Sequence, residues 1–420
     1  MSALTDELCE TACIFEHLRS RGSARQQPYP ATLRATLRLE EVARARRVLE
    51  GVPTYSPTPL YSLSGLAAAL GIRQLTIKDE STRLGLRAFK GVGGLYAVYR
   101  VLMDRAESLD LPEASVSDFL SGTYRSVAQG VTVASATTGN HGRSVAFAAK
   151  LFGCRCVIYV PRATSRGRVD ALEALGANVV RIDGSYDAAV ERVEEDAAKE
   201  NWIVVADTAR PGHDYTALAI MHGYRVIADE VVRQYAGTEL PTHVFVQTGV
   251  GGIAAAFCSH FWEVWGALRP RFIVVESRHA ACMLESAKAG RTVIVDDASN
   301  TRLPGLAAGK PSSVAWEILR VGADDFVSID DAAAFFAMRV LAFPRDGDSP
   351  IVAGEAGAAG LGALIVALSK GDRGAALGLS ESSRVLLVAT EGATDPMTYV
   401  EIVGKTMEQV LAGQERAIGQ

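Results

Sequence analysis

The chain reads as an α/β protein in two domains, each a mostly parallel sheet flanked by helices, and three observations predict this. Short apolar runs rich in Val and Ile recur along the sequence, and a longer amphipathic stretch follows each. Strands buried on both faces of a parallel sheet have this character, and the intervening helices supply the crossovers. The 420 residues, 48% hydrophobic and 22% charged, can bury a sizeable core, with a length prior of roughly two to three domains. No repeat with a period of roughly 20–50 residues points to a solenoid instead.

Taken in order, the first fifty residues are Arg-rich (Arg34, Arg38, Arg44, Arg46, Arg47) and end in a helical pattern, LEEVARARRVLEG, closed by Gly51. VPTYSPTPLY is a proline-punctuated extended segment, and QLTIK (74–78) opens the series of strands. VTVASA (131–136), CVIYVP (156–161), NVVRI (178–182) and IVVAD (203–207) form one run, with helices such as YDAAVERVEEDAAKE (186–200) between them. HVFVQT (243–248), RFIVVES (271–277), FVSID (326–330) and RVLLVAT (384–390) form a second, larger run. RDGDSP, Arg345 to Pro350, reads as an exposed turn. The expected segmentation is 1–89 as an N-terminal extension with part of the large domain, 90–211 as the small domain, and 212–420 as the rest of the large domain.

Composition excludes several function classes. Forty-three Lys plus Arg against forty-eight Asp plus Glu leave a net charge of −5, with no basic stripe for a nucleic acid. No apolar stretch approaches the roughly 20 residues that span a bilayer, so no membrane partner is expected. The N-terminal residues carry acids where a signal peptide needs basic residues, so the cytoplasm is the expected location. Cys9, Cys13, Cys154, Cys156, Cys258 and Cys282 form no CxxC pair and have no His at ligand spacing. They read as free thiols, with no metal site.

Three segments can carry chemistry. In QTGVGGIAAAF a strand ends, Gly249, Val250, Gly251 and Gly252 follow, and an Ala-rich helix begins. Glycines let backbone N–H groups approach an anion at a helix N-terminus, which makes a phosphate cradle. The same residues, as Gly249-x-Gly251-x-x-Ala254 with Glu276 as ribose partner, also fit a dinucleotide fingerprint, and a tight packing turn would look alike. VTVASATTGNHG repeats the construction: Thr137, Thr138, Asn140 and His141 stand at a strand-to-helix turn suited to a carboxylate or phenolate-like oxygen, or to plain N-capping. Finally, Lys90 follows Ala88-Phe89 and precedes Gly91-Val92-Gly93-Gly94. A lysine in so apolar a setting tends to a lowered pKa and can act as a Schiff-base nucleophile, although most lysines are surface groups. Lys90 for an aldehyde, the glycine loop for a phosphate and Asn140 for a ring oxygen together describe a site for pyridoxal 5'-phosphate.

These motifs resemble, in order, those of the tryptophan-synthase-β-like (fold-type II) pyridoxal-phosphate enzymes, over roughly Thr58 to Asp395. The matching segments are KDES-x-R-x-GL-x-AFK (78–90), Gly139-Asn140-His141-Gly142, GSYDAAV (184–190), ADT (206–208), IMHGY (220–224), GVGG (249–252), PSSVAW (311–316), GEAGAAG (354–360) and ATEGATDP (389–396). Within the family the pattern is most similar to the diaminopropionate ammonia-lyases. The resemblance implies a two-domain fold with the cofactor in the cleft between domains, and a homodimer. It implies Lys90 as the cofactor lysine and Cα base, Asp207 as the group serving the departing β-substituent, Glu355 beside the cofactor, and Thr390 facing the pyridine nitrogen. It further implies α,β-elimination on a small β-substituted L-amino acid, with 2,3-diaminopropionate giving pyruvate and ammonia as the first candidate. A serine/threonine-type or hydroxyaspartate-type dehydratase, or a lyase for an acidic β-substituted amino acid, is the alternative.

Three positions depart from the subfamily pattern. Thr138 stands where the diaminopropionate enzymes resembled here have an aspartate that takes the proton from the D-isomer. A hydroxyl cannot serve as that base, so L-substrates are expected, and Thr138 with Thr137 would hold the substrate carboxylate. Arg210-Pro211 and Lys310 replace more acidic pairs, which suits a less cationic side chain, or leaves two solvent-facing loops.

Overall fold

A computed structural model describes residues 14–137, 139–184, 186–209, 214–345, 347–369 and 371–418. The chain divides into two compact units, one of Met1–Arg34, Pro57–Thr82 and Ile227–Gln420, the other of Ala35–Ser56 and Arg83–Val226. The described strands are β1 (Phe15–Arg19), β2 (Leu60–Ser62), β3 (Gln74–Asp79), β4 (Thr132–Ala136), β5 (Arg155–Pro161), β6 (Asn178–Ile182), β7 (Ile203–Val204), β8 (His243–Gln247), β9 (Arg271–Ser277), β10 (Asp325–Ile329) and β11 (Arg384–Ala389).

The larger unit carries a seven-stranded sheet in the order β1-β10-β9-β8-β11-β3-β2. Its five inner strands run parallel, and β1 and β2 close the edges antiparallel to β10 and β3. The inner strands are the Val- and Ile-rich runs of the sequence, and β8 and β10 are buried along their whole length. Edge strand β1 is half-wet and mixed in character, FEHLR, so no hydrophobic period marks it in the sequence. Its His17 bonds the buried Asp325 of β10 at 2.8 Å, and Arg271 of β9 binds the same carboxylate. The helix Ala359–Ser369 is buried through Ala367, as expected of a helix apolar on every side.

The smaller unit holds a four-stranded, fully parallel sheet, β6-β5-β4-β7. The predicted Arg-rich helix is Leu39–Glu50 with Gly51 as its cap. It belongs to this unit, where Glu41 accepts from Tyr96 at 2.6 Å and pairs with Arg100, and Arg44 reaches Glu113 at 2.8 Å. Three close approaches set the site helix Lys90–Glu107. A Cβ on Gly93 would lie 2.4 Å from the Tyr224 ring, one on Gly223 would lie 2.7 Å from the Val92 carbonyl, and one on Gly94 would lie 2.2 Å from Ser144 Oγ. Gly93 and Gly94 therefore serve helix–helix contact.

Two sequence expectations change. IVVAD is a strand only over Ile203–Val204, which leaves Asp207 on a loop. RDGDSP is not simply an exposed turn: Asp348 is buried and accepts from Gly65 N at 2.9 Å and Leu66 N at 2.8 Å, capping the helix Ser64–Leu70. Cys154, Cys156, Cys258 and Cys282 are free thiols, whereas Cys9 and Cys13 lie outside the described residues. No described helix is long and apolar enough to cross a membrane.

Candidate active site

Lys90 is the first residue of the helix Lys90–Glu107, and its ammonium donates to Asp207 Oδ2 at 2.6 Å. Both side chains are mostly sheltered, at 17% and 14% exposure, so the pair sits at the edge of solvent. Burial, the largest single influence, would lower the Lys90 pKa, but the Asp207 charge and hydrogen bond, together with Tyr224 and Tyr186, outweigh it and raise the pKa. The expected lowering is thus reversed: the carboxylate that the sequence places 117 residues away holds the amine charged. Burial, again the largest single influence, would raise Asp207, but the Lys90 charge and hydrogen bond, with the neighbouring groups, together outweigh it and hold the carboxyl well below its usual range. Thr208 Oγ1 donates to the other Asp207 oxygen at 3.4 Å. Phe89 and Tyr224 meet with ring centroids 4.8 Å apart and form an apolar wall beside the amine, which lies 5.3 Å from the Phe89 ring centroid.

The turn after β4 places three more predicted residues in this unit. Asn140 begins the helix Asn140–Phe152 and is half-buried. The Thr137 hydroxyl accepts from Gly139 N at 3.0 Å and Gly142 N at 3.1 Å, so it serves the capping role that Thr commonly has at a helix start. Thr138 lies outside the described residues. His141 is buried; its Nε2 lies 2.8 Å from the Val205 carbonyl, and its Nδ1 lies 4.0 Å from Asp207 Oδ2. A carbonyl only accepts, so Nε2 carries the hydrogen; burial lowers the His141 pKa and favours the neutral ring, in which Nδ1 keeps a lone pair.

The larger unit holds the remaining predicted residues. The loop after β8 passes through Gly249 and Val250 to Gly251, which caps the helix Gly252–Trp265 at φ +103°. Ser312 N donates to the Val250 carbonyl at 2.9 Å and pins the loop. A Cβ on Gly251 would lie 2.2 Å from Met283 Cε and 2.7 Å from Ala315 Cβ, so both the turn and the space require glycine. Gly251→Ala is expected to lower stability by about 2 kcal/mol and to weaken anion retention at this helix start; thermal unfolding and a cofactor-release assay check both.

Thr390 follows β11 and is buried. Gln247 Nε2 bonds the carbonyls of Gly357 (3.0 Å) and Val388 (2.7 Å), which fixes the amide orientation, and meets Thr390 Oγ1 at 3.1 Å. The amide can only donate to that oxygen, so the Thr390 O–H remains to donate elsewhere. Glu355 is buried at 4% exposure in the GEAGAAG segment. A Cβ on neighbouring Gly357 would meet the Glu391 carbonyl at 2.3 Å, so the two loops are in close contact.

Glu276 is not a ribose partner. It is wholly buried and accepts from Met283 N and Leu284 N, each at 2.8 Å, capping the helix Cys282–Ala289. Burial pushes its carboxyl up to about 8. This removes the dinucleotide reading of the glycine loop. Glu276→Ala is expected to lower stability by about 2 kcal/mol in thermal unfolding, since two buried N–H groups lose their acceptor.

The other lysine of the Lys90 motif is structural. Lys78, in the KDES segment, is fully buried and donates to Thr58 O at 2.7 Å, Glu230 at 2.6 Å and Gln234 at 3.0 Å, so it is a structural ion pair. Lys310 is exposed, and Arg210 and Pro211 lie outside the described residues. Sequence reasoning passed over Tyr224 and Gln247. Both stood inside quoted motifs, IMHGY and QTGVGG, but only a contact gives either a role.

A model of the pyridoxal-phosphate dependent enzymes matches residues 52–391. The diaminopropionate ammonia-lyase of Escherichia coli (strain K12) is 38% identical over 363 residues, covering 86% of this chain and 90% of the relative. The crystal structure of the selenomethionine-labelled holo enzyme from E. coli superposes with a TM-score of 0.85 at 35% identity, covering 93% of this chain and 97% of the other. The structure of the E. coli enzyme in complex with D-serine gives 0.85 at 34% identity, with the same coverage.

Proposed function

The chain belongs to the pyridoxal-phosphate dependent enzymes, and from that premise we propose that it is an ammonia-lyase acting on L-2,3-diaminopropionate to give pyruvate and ammonia. The observation that carries the reading is the Lys90 amine 2.6 Å from Asp207. An amine able to bond an aldehyde stands beside a carboxylate able to hold a proton and return it.

The residues present fit the cofactor. Lys90 is a sheltered amine, Gly251 leaves a cradle that a Cβ would fill, and Thr390 has an O–H to donate. In the proposed assignment Lys90 would hold the cofactor's aldehyde, Gly249, Val250, Gly251 and Gly252 would receive its phosphate, Asn140 its ring oxygen and Thr390 its ring nitrogen, with Glu355 as a further cofactor-binding residue. A hydroxyl donor at Thr390 suits a neutral ring nitrogen. When bound, the cofactor supplies the electron sink for the charge left at Cα on proton removal.

The chain's own groups do the rest. The Lys90 nitrogen, once uncharged, takes the Cα proton of the L-substrate. Asp207 holds a proton and delivers it to the β-nitrogen as that group departs. The N–H groups at the start of the Asn140 helix, which Thr137 caps, hold the substrate carboxylate with Thr138, and Phe89 and Tyr224 keep water from the amine.

Incubating the protein with pyridoxal phosphate and L-2,3-diaminopropionate is expected to release pyruvate and ammonia, with the D-isomer turned over at least about 100-fold more slowly for want of a base at Thr138. Equal rates on both isomers would refute the role given to Thr138. Faster release from L-serine or L-threonine would favour a dehydratase, the reading that Thr138 itself supports. Assembly as a homodimer rests on the family resemblance, and light scattering checks it.

A further inference from the structure

His141 is the one predicted site residue whose geometry points past binding. It is buried at 6% exposure, and its Nδ1 has no hydrogen-bond partner among the described residues. The Nε2–H bond to the Val205 carbonyl, 2.8 Å, fixes the ring so that the Nδ1 lone pair lies 4.0 Å from Asp207 Oδ2. The same oxygen is the one 2.6 Å from the Lys90 ammonium. A lone pair facing a carboxylate gains nothing, whereas the same lone pair facing a carboxylic acid is a hydrogen-bond acceptor. About 1 Å of side-chain movement brings the two into bonding range.

This bears on a conflict within the site. Asp207 holds Lys90 charged, yet bonding an aldehyde and taking a Cα proton both need the neutral amine. We propose that His141 is a positioning residue that makes Asp207 able to take the Lys90 proton: the N–H bond of the ammonium breaks, an O–H bond forms on Asp207 Oδ2, the paired charges vanish, and the new O–H turns to His141 Nδ1. Without that acceptor the buried acid would keep an unsatisfied O–H and the proton would stay on nitrogen.

The groups facing this triad are Tyr224 from the helix Tyr215–Gln234, Tyr186 from the helix Tyr186–Glu200, and Thr208 beside Asp207. Burial raises the Tyr224 phenol, which stays uncharged throughout the range used below. Burial likewise lowers His141, in keeping with a neutral ring.

The inference rests on Lys90 being the cofactor lysine, and the test separates the two. Cofactor-free protein is mixed with pyridoxal phosphate between pH 6 and 10 (about neutral to mildly alkaline, below the usual lysine range). The borohydride-reducible lysine adduct is then followed by absorbance. His141→Gln keeps a donor for Val205 but loses the Nδ1 acceptor; His141→Asn places an amide near Nδ1. Adduct formation in His141→Gln is expected to be about tenfold slower across this range, and His141→Asn to recover most of the rate. In the wild-type protein, ¹⁵N spectra are expected to show His141 Nδ1 unprotonated, with its resonance displaced in Asp207→Asn. A His141→Gln profile that overlays wild type overturns the inference. So does a protonated Nδ1, or an equal loss in His141→Asn. If the wild-type protein forms no reducible adduct at any pH, the cofactor reading itself fails.

Discussion

Lys90→Ala is expected to lower turnover of L-2,3-diaminopropionate by at least about 10⁴-fold and to remove the borohydride-sensitive absorbance. Both losses trace to one atom, because the same nitrogen bonds the cofactor and takes the Cα proton. Lys90 packs at the edge of solvent, so the variant is expected to fold. It leaves Asp207 without its counter-charge; burial, less opposed, then pushes that carboxyl up. Circular dichroism checks the fold, and a pyruvate assay checks the rate. Residual turnover above about 1% would place the base elsewhere.

Asp207→Asn is expected to separate two functions that the wild-type pair joins. In wild type the Lys90 pKa is raised because the Asp207 charge and hydrogen bond, with the nearby tyrosines, together outweigh burial. Removing the charge reverses the sign: burial then dominates, and the amine is neutral at a lower pH than in wild type. Adduct formation with pyridoxal phosphate at neutral pH is therefore expected to be faster than in wild type. Turnover is expected to fall by about 10²–10⁴-fold, since no acid remains to protonate the departing β-nitrogen. Stopped-flow absorbance measures the first and pyruvate release the second. A variant slowed in both would mean that Asp207 only orients Lys90.

Most of the fold was legible because its strands are short apolar runs in a buried parallel sheet, and burial on both faces writes itself into composition. The helices Leu39–Glu50 and Tyr186–Glu200 were legible through caps and period. Edge strands β1 and β2 were not, because a strand of five or three residues with one wet face carries no period to read. IVVAD misled in the other direction: its apolar run extends beyond the two residues that pair, and the unpaired remainder is what carries Asp207 on a loop.

The site divides the same way. Residue types at strand-to-helix turns are local features, so Lys90, Asn140 and the glycine loop could be named from order alone, and the motif order identified the family. Which groups touch is a matter of distance across the fold. The 117-residue separation of Lys90 and Asp207 hides the ion pair that sets the charge of both. It took tertiary structure to show that Gly93 and Gly94 serve helix contact, that Glu276 is a buried cap, that Lys78 is locked in an ion pair, and that His141 offers a lone pair to Asp207. The sequence determined the sheets, the cofactor class and the reacting amine, since each is written in neighbouring residues. The tertiary structure alone decided the protonation of that amine, since a pKa depends on burial and on charges brought within a few ångströms by residues far apart in the chain.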